Sequence, residues 1–170
     1  MTRVPSASSS KSSQILTKAI ERSSMSIEDF PRSVRGHGMA SFLIESAQDE
    51  AALELSSSDV VYFLATLRSR GVSGTARVGT FMSQGLAELF EHFANNWKGW
   101  GGSKEWASLE VELSVSARSD SLGHVFMNVR LRDGAPAKWT LQAELILEAG
   151  ALPMLANRAR TFESAVVRVE

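Results

Sequence analysis

The sequence contains no cysteine. That excludes a disulfide framework, thiolate metal sites and cysteine nucleophiles together, and it fits a reducing compartment, so a cytoplasmic protein is expected. Charge of one sign is also missing: 18 basic and 19 acidic residues give a formal net charge of -1. No attraction to a nucleic-acid backbone or an anionic membrane follows from such a balance. No apolar run approaches the roughly 18 to 20 residues of a membrane helix. The N-terminal MTRVPSASSSKSSQ has no apolar stretch of about 7 to 15 residues, so it does not read as a secretory signal.

Catalytic signatures are equally scarce. There is no P-loop, no GxGxxG after a strand, no HExxH and no GxSxG. The densest glycines (Gly99, Gly101 and Gly102) follow a helix, whereas a phosphate cradle must precede one so that helix N–H groups face the anion. His37, His92 and His124 are the only histidines, and none has a partner at metal-ligand spacing. No metal and no cofactor are expected.

What is present is a chain of 170 residues with 44% apolar and 22% charged residues, ordinary for one soluble domain with its own core. Residues 1–38 read as a serine-rich, partly disordered extension, and 39–170 as a single domain. Ser41–Ser46 and Ala51–Leu55 flank the polar Gln48-Asp49-Glu50 and suggest a hairpin. Val60–Arg68 is β-branched and aromatic and suits a strand covered on both sides. Val72–Val78 alternates.

The strongest signal is helical. Leu86, Leu89, Phe90, Phe93, Ala94 and Trp97 recur at i, i+3, i+4, i+7, i+8 and i+11, with Ser83 as N-cap and Gly99 or Gly101-Gly102 as stop. Three alternating runs follow, read as strands over Leu109–Ala117, Val125–Leu131 and Trp139–Leu147. With Ala117 opposite Val125, Glu110 would face Arg132 and Glu112 would face Arg130, leaving one wet face. Leu152, Leu155, Ala156, Ala159 and Phe162 mark a closing helix, and Val166–Val169 could add an edge strand. The expected fold is α+β: one antiparallel sheet of about six to seven strands with two amphipathic helices on one face. Its order is four strands, helix, three strands, helix.

Three of the four tryptophans fall around the glycine turn. Trp97 continues the helix stripe and is expected in the core, with Trp139 near it. Trp100 and Trp106 lie in or beside the turn; core or rim packing is the favoured reading for them, and they are also the best surface-anchor candidates the chain offers. Asp120 and His124 bracket a hairpin turn and could orient each other. Adding Ser119 or Ser121 makes a nucleophile trio on paper, but on one exposed loop with nothing to exclude water. Glu110 and Glu112 suit a cross-strand ladder better than acid/base work. The candidate binding residues are therefore Trp97, Trp100, Trp106, Glu110, Asp120 and His124, with no catalytic residue assigned.

From about Gly85 onward the chain resembles a family of uncharacterised bacterial proteins, a domain of unknown function. The residues that carry the resemblance are Trp97-Lys98-Gly99-Trp100, Trp106-Ala107-Ser108-Leu109-Glu110, Leu122-Gly123-His124-Val125 and Leu147-Glu148-Ala149-Gly150. It implies an α+β fold and no known activity. Small, cysteine-free proteins of this kind are often toxin inhibitors or accessory partners, an argument by analogy. The leading expectation is a non-enzymatic protein-binding module of the immunity type, with a toxin or accessory protein as partner. The alternative is a small-ligand-binding protein or enzyme with a pocket between sheet and helices, lined by Trp97, Trp139 and His124.

Overall fold

The computed structural model describes residues 40–59, 61–79, 85–134 and 136–166. The expected extension, the N-cap at Ser83 and the strand positions 167–169 lie outside them. Among these described residues eight strands form two antiparallel meanders of four. The first holds β1 (Ser41–Glu45), β2 (Ala52–Ser57), β3 (Tyr62–Ser69) and β4 (Val72–Gly79). The second holds β5 (Lys104–Ala107), β6 (Leu113–Ser119), β7 (Val125–Arg132) and β8 (Thr140–Leu147). Helix α1 (Leu86–Asn95) joins the sheets and α2 (Leu152–Val166) closes the domain. The α+β class and the antiparallel pairing hold. The single sheet of six or seven strands does not, and the order is four strands, helix, four strands, helix.

The additional strand is β5, which precedes the expected Leu109–Ala117 strand, and that strand itself begins only at Leu113. β5 stops at Ala107, residues 108–112 form a loop, and β6 starts at Leu113. Ser108 closes the loop. Its N–H donates to the Leu113 carbonyl at 2.9 Å, and its hydroxyl donates to Glu112 Oε2 at 2.7 Å while accepting from the Leu113 N–H at 3.2 Å. Among the described residues Ser108 and Glu112 are the buried polar ones, and each satisfies the other.

β6 and β7 pair two residues away from the expected register: Ala117 faces Met127, and Ser119 faces Val125. A shift of two keeps every side chain on its face. Leu113, Val115 and Ala117 are therefore buried with Val125, Met127, Val129 and Leu131, as expected. The polar pairs do change. Arg130 faces Ser114 and Gln142, and the Arg132 guanidinium takes the Glu110 main-chain carbonyl, so the expected glutamate–arginine ladder is not formed. Glu144 faces Asn128 and reaches Arg118 at 3.4 Å. This face remains polar and exposed.

The inward faces of both sheets share one core with the helices. The sheets approach where β3 and β4 meet β7 and β8, and small residues (Ala65, Gly74 and Ala76) occupy the first sheet there. The turn after β1 is tied to β8, with the Ala47 N–H donating to the Ile146 carbonyl at 2.8 Å. Elsewhere the helices fill the space with aromatic rings. Phe42 lies 5.2 Å from Phe90 and 6.4 Å from Phe162, and Phe63 lies 5.5 Å from Phe162. Such pairs contribute about 0.5 to 1.5 kcal/mol each beyond their buried area. The helical periods were read correctly: Leu86, Leu89, Phe90 and Phe93 of α1 are buried, as are Leu152, Leu155, Ala156, Ala159 and Phe162 of α2.

Candidate functional site

α1 ends at Asn95, two positions before its apolar stripe does. The Asn96 side chain donates to the His92 carbonyl at 2.8 Å and the Gly99 N–H donates to the Asn96 carbonyl at 2.9 Å, which turns the chain out of the helix. Trp97 therefore leaves the core it was expected to join. Trp97 is 50% exposed, with Lys98 Nζ 5.3 Å from the ring centroid. Trp100 and Trp106, the surface candidates for which packing is the favoured reading, are indeed packed. Trp100 stacks on Phe93 with centroids 5.2 Å apart and planes at 1°, and Trp106 is buried on β5.

The glycine turn is locked against the β6–β7 hairpin loop. Gly99 has φ 108°, and a Cβ there would stand 2.6 Å from the Asp120 carbonyl oxygen. Gly123 has φ 89°, and its Cβ would stand 2.7 Å from the Trp97 carbonyl oxygen. Between these two approaches the Trp100 N–H donates to Ser119 Oγ at 2.8 Å. The hairpin loop is itself organised by Asp120. Its Oδ1 accepts from the Leu122 and His124 N–H groups, each at 2.9 Å, and its Oδ2 accepts from His124 Nδ1 at 2.8 Å. The His124 hydrogen bond, followed by those main-chain N–H groups, holds the Asp120 carboxyl below its ordinary pKa.

Asp120 and His124 thus orient each other as expected. Ser119 is committed elsewhere, its Oγ accepting from the Trp100 N–H. Glu110 stands apart from this corner. It precedes β6 while Asp120 follows it, so the two are separated by a strand roughly 20 Å long. Trp139 is elsewhere again, lying over Gly74 of β4. The interior pocket expected from Trp97, Trp139 and His124 is not built by these side chains.

Two features escaped the sequence reading. Leu122, at the tip of the hairpin loop, is 78% exposed. A large aliphatic residue in an Asp-Ser-Leu-Gly turn was the available signal. The second is the outer face of the β5–β8 sheet, where two adjoining hollows of about 460 and 650 Å³ share Ser116 and Asn128. Hydroxyl, amide, carboxylate and guanidinium groups share their walls with Trp100, Trp106 and Phe126, and the Arg118 guanidinium stands 4.5 Å from the Phe126 ring centroid. Among the described residues no cluster of three or more His, Asp or Glu side chains could hold a metal ion, and no helix is long and apolar enough to cross a membrane.

The model of a family of unknown function (DUF6228) matches residues 44–165. The chain belongs to this family. A search of curated proteins finds no match. The span matched to DUF6228 takes in both helices, the glycine turn and the hairpin loop it locks.

Proposed function

We propose that the chain is a non-enzymatic protein-binding module, and that the corner made by the glycine turn and the β6–β7 loop is its contact surface. One observation carries this reading: Trp97 and Leu122, the former 50% and the latter 78% exposed, stand on two turns whose backbones are in contact. An indole at a rigid, solvent-facing turn is the residue type that most often dominates a protein interface. Lys98, Asp120 and His124 supply a polar rim, as interfaces of this kind have. Asp120 and His124 act here as architecture that fixes the loop carrying Leu122. An immunity-type inhibitor is the specific form we favour, its partner a toxin.

The test uses the purified full-length chain and the protein encoded beside it. Calorimetry is expected to show a stoichiometric complex that Trp97→Ala weakens at least about tenfold. With 5-fluorotryptophan labelling, the Trp97 resonance is expected to shift on binding while that of buried Trp106 stays. Absence of a complex, or one indifferent to Trp97→Ala and Leu122→Ser, would overturn the reading.

A further inference from the structure

The loop between β5 and β6 breaks two local rules at once. Val111 has φ 59°, a left-handed conformation that a β-branched residue adopts only when its surroundings enforce it. Leu109 and Val111 continue the alternation of a buried strand, yet they are 58% and 42% exposed. The loop is nonetheless held on every side. The Val111 N–H donates to the Ser108 carbonyl at 2.9 Å, the Ser108–Glu112 bond closes the base, and Arg132 grips both the Glu110 and Glu112 carbonyls. A segment that departs from its own pattern while its neighbours hold the departure rigid is a candidate functional site.

We propose that Leu109–Val111 is a preformed anchor, inserting its two aliphatic side chains into an apolar cleft rimmed with basic residues on a protein partner. Charge selects that partner. Glu110, between the two aliphatics, is exposed and its carboxylate has no ion pair among the described residues. Asp133 joins Glu112 and Tyr62 around the adjoining hollow of about 340 Å³, while Arg77 at its edge is engaged by Asp59 at 3.5 Å. Even with the Arg132 guanidinium on the Glu110 carbonyl, acids outnumber bases around the two aliphatics, so the patch is apolar with a net acidic rim. A second copy of this chain fits poorly, since a twofold contact sets a patch against itself and would bring Glu110 against its own image. A basic rim neutralises it. Because the loop is already fixed, docking costs it little conformational freedom. This surface lies at the opposite end of β6 from the Trp97 corner, and neither depends on the other.

The experiment places a benzophenone amino acid at Leu109 of the full-length chain, and separately at Trp97, with irradiation in the cells that produce the protein. The Leu109 sample is expected to give an adduct with one partner protein, crosslinked through a segment carrying Lys or Arg beside apolar residues. With that partner purified, Leu109→Ser and Val111→Gly are each expected to weaken binding at least about tenfold. Glu110→Lys is expected to weaken it and reduce its salt dependence. Val111→Gly is expected to leave thermal stability unchanged or raised, since glycine accepts the positive φ, so lost binding would not be lost folding. No adduct at Leu109, a covalent homodimer, or a partner indifferent to all three substitutions would overturn the proposal. The Trp97 sample reports on the other corner alone.

Discussion

The carboxylate of Glu163, in α2, caps α1 at its N-cap residue Gly85. Oε1 accepts from the Gly85 N–H at 2.8 Å and Oε2 from the Ala87 N–H at 3.0 Å. Two of the donors that every helix N-terminus leaves unpaired are thereby satisfied, and a negative charge sits at the positive end of the dipole. The partner comes from 78 residues away, so α1 is capped by tertiary structure.

Replacing Glu163 by Ala is expected to cost about 1 to 2 kcal/mol of stability, the usual range for a lost cap with charge-assisted bonds. Glu163→Gln keeps one acceptor and should cost less. Urea denaturation measures both. Hydrogen exchange should localise the loss to the Leu86–Phe90 amides, and a uniform change across the domain would contradict the capping role.

Gly99→Ala and Gly123→Ala are each expected to destabilise by about 2 to 4 kcal/mol, because positive-φ strain adds to the displacement of a carbonyl oxygen. Gly101 is the control in the same turn. A Cβ there meets nothing within 4 Å, so Gly101→Ala should lie within about 0.5 kcal/mol of the parent. Thermal melts on the three variants suffice, and similar Tm values throughout would show that the two turns are not locked.

Stability should fall with pH in two separate windows. Burial, with a smaller contribution from Lys104, lowers the His92 pKa, so the unfolded chain takes up a proton below about pH 6.5 that the folded chain refuses. Wild type should therefore lose stability as pH drops from about 6.5 toward the folded His92 value, and His92→Phe should lose less over that range. Asp120 is depressed as well. Its contribution is present above the ordinary aspartate value of about 3.9 and is lost as pH falls through the lower folded value. The gap between wild type and Asp120→Asn should thus be full at pH 7 and close only in the acid window. Urea midpoints at pH 7, 5 and 3 separate the two effects.

How much of this was legible in the sequence depends on what periodicity encodes. A period of 2 or 3.6 says which side chains share a face, so the buried sets of β6, β7, β8, α1 and α2 were readable. It does not say where an element stops. The alternation through Leu109 and Val111 runs on unbroken while the backbone leaves the sheet, because the Ser108–Glu112 bond and the Val111 dihedral are not matters of polarity. The same blindness put Trp97 in the core. Its spacing fits the stripe, but Asn96 caps the helix first. Nor does a face pattern say which sheet a strand joins, so eight strands in two sheets and seven in one look alike.

The candidate site was legible in part for the same reason. The Asp120–His124 contact follows from a four-residue separation across one turn, and it formed. The interlock of Gly99 with Asp120 and of Gly123 with Trp97 joins segments more than 20 residues apart, and no local pattern reports it. Leu122 was visible as a large aliphatic in a turn. Its meaning required knowing that Trp97 stands on the turn packed beside it.

The approach of the two sheets gives a last test. A Cβ on Gly74 of β4 would stand 3.0 and 3.1 Å from two atoms of the Trp139 ring and 3.4 Å from Leu141 Cδ2, so Trp139 covers the place where a side chain is missing. Gly74→Val should overpack this contact and cost about 1 to 3 kcal/mol. Trp139→Leu should be destabilising through lost aromatic packing, yet it also makes room. The double variant should therefore be more stable than the sum of the single effects, with a coupling of about 1 kcal/mol or more between the two sites. Strict additivity in urea denaturation would mean that Gly74 and Trp139 do not touch in solution, and that the sheets meet through other residues.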